Sequence, residues 1–336
     1  MCYSLSTEIA MKHRTLGNTD LEISPITLGT RTFGDCISEK DAIRLVHYAV
    51  DRGINCFDTA DVYGTNGNVP DGSESAAETI LGTALDGRRD HIRIITKAGQ
   101  TNGADAGGAG LDEAHIRSSV ETSLSRLRTD CVDLFLFDTR DSVTPVEKIV
   151  ATGGKLVAEG KVRHYGLSNF TAWQVAETVW AAEDTNNPLP VAAQLNYSLL
   201  RRSQEMDLFQ ACKQYGLAVM SYQTLQGGLL AGHYRKDQPA PIGSRAQENP
   251  NWMPDNMTDE CWHVVETVRI LAMECRLTPA QFTLAWTLSQ PDVTAVALGA
   301  RTVEHVDEAI TAVDAEIPTD HLRKINRLTA GRRLLV

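Results

Sequence analysis

The hexapeptide GTRTFG, residues 29–34, decides how the rest of the chain is read. It closes the first apolar run, ITLGT (26–30), and so sits where a strand hands over to the next element. A doubly wound open sheet would place a GxGxxG phosphate turn there, opening directly into a long helix. Here only Gly29 and Gly34 flank the turn, and no long helical pattern starts from it.

Downstream, short apolar runs alternate with amphipathic ones. INCFDTA (54–60), IRIITK (92–97), VDLFLFD (132–138), VRHYGLSN (162–169), VAAQLNY (191–197), AVMSYQ (218–223) and VTAVALGA (293–300) read as further strands. Helical spacing marks 41–53, 74–87, 112–128, 144–160, 171–183, 203–216 and 303–314 between and after them. Pro145 is placed just inside a helix start. Nearly continuous apolar strands alternating with helices imply a parallel sheet buried on both faces. Eight such units close most naturally into an α/β (β/α)8 TIM barrel, one domain over residues 1–336. HRTLGNTDLEIS, with its Gly17-Asn18 turn, predicts an N-terminal hairpin plugging the barrel bottom. Extra C-terminal helices are expected near 258–276, 278–289 and 319–330. The polar stretches 102–110 and 233–257 are too long for simple connectors and leave the C-terminal strand ends, the rim where barrels bind ligands.

The formal net charge of −11 argues against nucleic acid or an anionic membrane as partner. Seven cysteines without CxxC spacing argue against a disulfide framework or zinc cluster and point to a reducing cytosol. The start MCYSLSTEIAMKHR lacks the apolar core of a signal peptide, and no apolar run approaches the roughly 20 residues that span a bilayer. No two histidines join a carboxylate at metal-ligand spacing, so no metal is expected. The expectation is a cytoplasmic protein with a small-molecule partner. Trp173, Trp180, Trp262 and Trp286 fall on helices and are expected to pack.

Polar residues end several strands: Asp58, Asp61 and Tyr63 in FDTADVYG, then Lys97, Asp138, Ser168, Asn169, Gln194, Tyr222 and Gln223. A lysine ending a buried strand needs a carboxylate, and Asp58 is the candidate. Free phenol has a pKa of about 10, and a nearby ammonium lowers it. Asp58, Tyr63 and Lys97 together suit proton transfer to an oxygen. A structural Lys–Asp pair with a hydrogen-bonded tyrosine accounts for the same spacing equally well.

At this point the chain resembles the aldo-keto reductases. The matching pieces are LGTRTFG, FDTADVYG, GSESAAETILGTAL, ITK, VDLFLFD, GLSNF, QLNYSLLRR, SYQTLQGGLLAGHY and GARTVEHVDE, in that order over nearly the whole chain. The resemblance implies a barrel that binds NADPH in an extended pose. It implies Tyr63 as the acid that protonates a carbonyl oxygen as hydride arrives, tuned by Lys97, which Asp58 holds. Gly29 and Thr30 would lie at the cofactor. Ser168, Asn169 and Gln194 would hold the nicotinamide carboxamide, with Tyr222 against its ring and Gln223 beside it. Leu225 to Leu229, including Gly227 and Gly228, would wrap the pyrophosphate with backbone N–H groups. Gly299 and Arg301 would meet the 2′-phosphate, with His305 and Glu308 at the adenosine.

The chain departs from the family at several places. The usual strand-end histidine is replaced by Asp138, and His305 and Ala309 stand where Gln and Asn are common. Gln223 and Thr224 replace a usual Ser-Pro, and Arg31 sits where an apolar residue often lines the substrate pocket. Arg31, Asp138 and Trp252 of the long loop are therefore candidate substrate contacts. Three readings of Asp138 stand side by side. Protonated, it donates to an oxyanion, as the aspartic acid of ketosteroid isomerase does, and suits reduction of a conjugated C=C. Ionised, it binds a polar substrate group. Paired with Arg140 or Arg31, it takes no chemical part. The whole implies an NADPH-dependent oxidoreductase acting on a carbonyl or conjugated alkene of a small polar substrate, such as a sugar or natural-product intermediate. The alternatives are a cofactor-sensing subunit like the potassium-channel β subunits, or redox-neutral hydride chemistry.

Overall fold

The structure is a computed structural model that describes residues 11–64, 76–100, 110–249 and 257–335. A two-stranded antiparallel hairpin comes first, β1 (Arg14–Thr15) with β2 (Glu22–Ile23). Eight parallel strands follow: β3 (Ile26–Gly29), β4 (Cys56–Asp58), β5 (Arg93–Ala98), β6 (Val132–Asp138), β7 (Val162–Ser168), β8 (Ala192–Asn196), β9 (Ala218–Tyr222) and β10 (Val293–Gly299). They pair in chain order, and β10 closes onto β3. The eight expected strands are these eight, and the (β/α)8 barrel is the fold.

The strands are mostly apolar because both faces of the sheet are largely buried. In β6, Phe135 and Phe137 pack outward in the large core beneath the helices. Leu134 and Leu136 face inward, in a second cluster with Cys56, Ile95, Ala192, Ala218, Met220 and Ala295. The hairpin supplies Leu16, Leu21 and Ile23 to that inner cluster. Arg14 bonds the carbonyls of Val293 and Thr294 where β10 begins, so the hairpin closes the barrel's lower end. Its turn needs glycine: Gly17 has φ +56°, and a Cβ there would lie 2.4 Å from the Val191 carbonyl oxygen.

Outside lie α1 (Glu39–Asp51), α2 (Ala76–Ala84), α3 (Glu113–Leu127), α4 (Val146–Ala158), α5 (Ala172–Asp184), α6 (Leu208–Tyr215), α7 (Arg245–Glu248), α8 (Asp259–Glu274), α9 (Pro279–Leu288), α10 (Val303–Val313) and α11 (Thr319–Thr329). Their starts carry the expected chemistry. Thr278 and Gln281 form a capping box on α9, with Pro279 in its first turn. Pro145, by contrast, is the N-cap of α4 rather than its first helical residue; its ψ of 142° is extended. The short α7 lies inside the polar stretch 233–257 and was not expected.

The tryptophans divide. Trp286 is fully buried, and Trp262 packs against the core. Trp173 and Trp180 are 63% and 61% exposed on α5, contrary to expectation. Helical spacing says that a helix forms, but neighbours decide which of its faces they cover. Among the described residues no helix is long and apolar enough to cross a membrane.

Candidate active site

Strand alternation carries the inner row upward to the C-terminal rim. Above Leu134 and Leu136 in β6 comes Asp138; above Cys56 in β4 comes Asp58; above Ile95 in β5 comes Lys97. Register aligns the tips: Asp138 pairs with Ser168, and Ser168 with Gln194. Three strands end in strain. Thr139, Asn169 and Gln223, each the first residue after its strand, have φ of +68°, +63° and +57°. A non-glycine residue held there costs on the order of 1 kcal/mol, and such residues cluster at functional rims.

Lys97 and Asp58 are 3% and 4% exposed. Lys97 Nζ donates to Asp58 Oδ1 at 2.8 Å and to the Thr59 carbonyl at 2.9 Å. Gln194 Nε2 donates to Asp58 Oδ2 at 2.6 Å, so both carboxylate oxygens are bonded. The ammonium sits 4.8 Å from the centre of the Tyr63 ring. Burial by itself would lower the Lys97 pKa, but Asp58, with help from Tyr63, holds it above its ordinary value. Burial pushes the Tyr63 phenol up; Lys97 pulls it down by less, and the net direction is upward. The expected lowering by the ammonium is present but outweighed, so Tyr63 keeps its proton at neutral pH.

Asp138, 6% exposed, accepts at Oδ1 from Ser168 Oγ at 2.9 Å and Asn169 Nδ2 at 2.8 Å. Tyr222 Oη donates to Asn169 Oδ1 at 2.6 Å. Asp138 pairs with neither arginine. Arg140 turns to the carbonyls of Asp141 and Thr144 and toward Glu177. The Arg31 guanidinium lies over the Tyr63 ring, 5.6 Å from its centre. Of the three readings, the ion-paired one does not describe this structure.

Asp58 and Tyr63 line one cavity together with Arg301, His305 and Glu308. Gly29, Arg31, Tyr222, Gln223, Leu225, Gly227, Gly228 and Gly299 line it too. Other candidates are not among its lining residues. Ser168, Asn169 and Gln194 are engaged with Asp138 and Asp58, and Thr30 is buried with its hydroxyl on the Asp58 carbonyl. Leu229 is a core residue with a fully buried side chain. The N–H groups of Gln226, Gly228 and Leu229 are spent on carbonyls within their own turn, so the segment Leu225–Leu229 does not present a row of free amides. Trp252 lies outside the described residues.

Arg301 donates through Nη1 and Nη2 to Glu248 Oε1 and Oε2, both at 2.8 Å. Arg245, Ser244 and His233 also line the cavity. Sequence reading missed these three and Glu248. They lie in the stretch marked as ligand-binding for its length, but no spacing singles them out.

Behind Lys97, burial and then Glu78 push the Asp61 carboxyl up to about 7; Arg126 opposes them. An acid with a raised folded pKa binds more protons folded than unfolded, so stability falls as pH rises from about 4 to about 7 and is flat above. Asp61→Asn is therefore expected to raise stability at pH 8 by roughly 1–4 kcal/mol and to give no gain at pH 4. Urea unfolding at the two pH values checks this; an equal effect at both removes Asp61 as the titrating group.

A closed barrel thus carries a buried Lys–Asp pair beside a tyrosine in a cavity at its C-terminal rim. The Aldo/keto reductase family profile matches residues 25–330, and the chain belongs to that family. It is 33% identical to "Uncharacterized oxidoreductase YrpG" of Bacillus subtilis (strain 168), over 96% of this chain and 97% of that protein. It is 31% identical to "Probable aldo-keto reductase 1" of Glycine max, over 92% of this chain and 86% of that one. It is also 31% identical to "Probable voltage-gated potassium channel subunit beta" of Arabidopsis thaliana, over 90% of this chain and 92% of that one.

Proposed function

We propose that the protein is an NADPH-dependent reductase of a carbonyl group, or of the C=C conjugated to one, in a small polar substrate. The observation that carries this is Lys97, charged and fixed by Asp58, beside a protonated Tyr63 in the cavity. The bound cofactor would supply the hydride. Tyr63 gives its proton to the substrate oxygen, and Lys97 stabilises the phenolate left behind. Asp58 keeps the ammonium in place and carries Gln194. Asp138 uses Oδ1 to hold Ser168 and Asn169, which leaves Oδ2 for the substrate. An ionised Oδ2 accepts from a hydroxyl or amine; a protonated one donates to the reacting oxygen.

The cavity suits a dinucleotide because its lining combines Gly227, Gly228 and Gly299 with a guanidinium. Arg301 would meet the 2′-phosphate, and Glu248 competes for it. Glu248→Gln is expected to tighten NADPH about 10-fold while NADH changes less, since only the phosphate must displace the carboxylate. Fluorescence titration with both cofactors measures it; equal changes for the two would detach Arg301 from the 2′ position.

NADPH oxidation across aldehydes, ketones and enones tests the reading, and product analysis separates C=O from C=C reduction. Tight NADPH binding with turnover of none would favour a cofactor-sensing role, to which the likeness to the channel subunit lends support. Product formed without net NADPH loss would instead indicate redox-neutral chemistry.

A further inference from the structure

We infer that the substrate carries an anionic group, a carboxylate or phosphate, a few bonds from its reacting carbon, and that Arg31 binds it. The inference rests on the reductase reading above and names the class of molecule that site would take.

Four observations converge on Arg31. It lines the same cavity as Tyr63. Its guanidinium lies over the phenol ring, 5.6 Å from the ring centre, and so beside the proton donor. The residue is exposed, and no hydrogen bond or ion pair joins it to another described residue. Arg301, which lines the same cavity, is by contrast neutralised by Glu248.

The surrounding charges reinforce the point. Arg245 lines the same cavity; burial first and then Arg31 lower its pKa, so the two guanidinium groups act on each other. Of the carboxylates in the cavity wall, Asp58 is already bonded by Lys97 and Gln194. Arg31 and Arg245 thus place two cations in one cavity of a chain whose formal net charge is −11. A recessed cationic wall focuses potential and draws an anion in. Guanidinium matches carboxylate and phosphate with two parallel N–H···O bonds, which fixes orientation as well as position. An anion held there sets the neighbouring carbonyl oxygen toward the Tyr63 hydroxyl. Short oxo acids and phosphorylated aldehydes have this span.

The test compares matched pairs with NADPH: 4-oxobutanoate against butanal, and glyceraldehyde 3-phosphate against glyceraldehyde. In the unaltered protein, kcat/KM should favour the anionic member of at least one pair by about 30-fold. Arg31→Leu should collapse that ratio, chiefly through KM of the anionic member, and Arg31→Lys should restore part of it. Inorganic phosphate should compete with the carbonyl substrate in the unaltered protein. A ratio near one in both pairs, or one that survives Arg31→Leu, overturns the inference. So does a loss of NADPH affinity in Arg31→Leu with the ratio intact, which would assign Arg31 to the cofactor's phosphates. If the protein turns over no carbonyl, the reductase reading itself has failed. Protection against thermal unfolding by phosphate or succinate, present in the unaltered protein and absent in Arg31→Leu, then decides whether Arg31 holds an anion.

Discussion

Lys97→Met is expected to lower the free energy of unfolding by about 3–5 kcal/mol, besides removing turnover. The reason is the charge left behind. Asp58 is 4% exposed and would keep only the Gln194 bond on Oδ2. Its Oδ1 would face the apolar stem of methionine with no cation to offset its desolvation. The Thr59 carbonyl would lose its partner as well. Adding Asp58→Asn to Lys97→Met removes the stranded charge, so the double variant should recover part of the loss. Urea unfolding of the single and double variants measures the coupling directly. A single-variant loss under about 1 kcal/mol would mean that water reaches the pair, and the buried ammonium beside Tyr63 would have to be abandoned.

Tyr63→Phe is expected to reduce turnover by about 10²–10⁴-fold, the range for a positioned general acid. The ring survives this change, so the contacts of Arg31 and Lys97 with its face persist and only the proton donor is lost. The loss should therefore appear in kcat, with a smaller effect on cofactor affinity measured by titration. The upward shift of the phenol adds a direction: proton donation, and with it reduction, should hold through neutral pH and above the ordinary range for a half-exposed tyrosine. Retention of full turnover in Tyr63→Phe would refute the proposed role of the phenol.

The barrel was legible because its signals are local and repeated. Apolar runs such as VDLFLFD have the length and continuity of strands buried on both faces, and helical spacing separates them. Asp58, Lys97 and Asp138 could be placed on one rim because strand alternation puts each above an inward apolar residue. What could not be read was the choice of partner. Asp138 had two candidate arginine partners, Arg140 close by in the chain and Arg31 far from it, yet it bonds Ser168 and Asn169, at the end of the next strand around the barrel. Leu225–Leu229 read as a cradle of amides, but the turn consumes several of them. Trp173 and Trp180 keep helical spacing and still face outward.

The sequence alone determined the eight alternating units, the hairpin beneath them and the residue types at each strand tip, since these follow from periodicity and turn chemistry within a few neighbouring residues. Only the tertiary structure decided that Gln194 belongs to Asp58, that Glu248 forks Arg301, and that burial outweighs Lys97 at Tyr63. Bonds and desolvation of this kind join residues far apart in the chain, and their balance depends on distances that exist only once the barrel has closed.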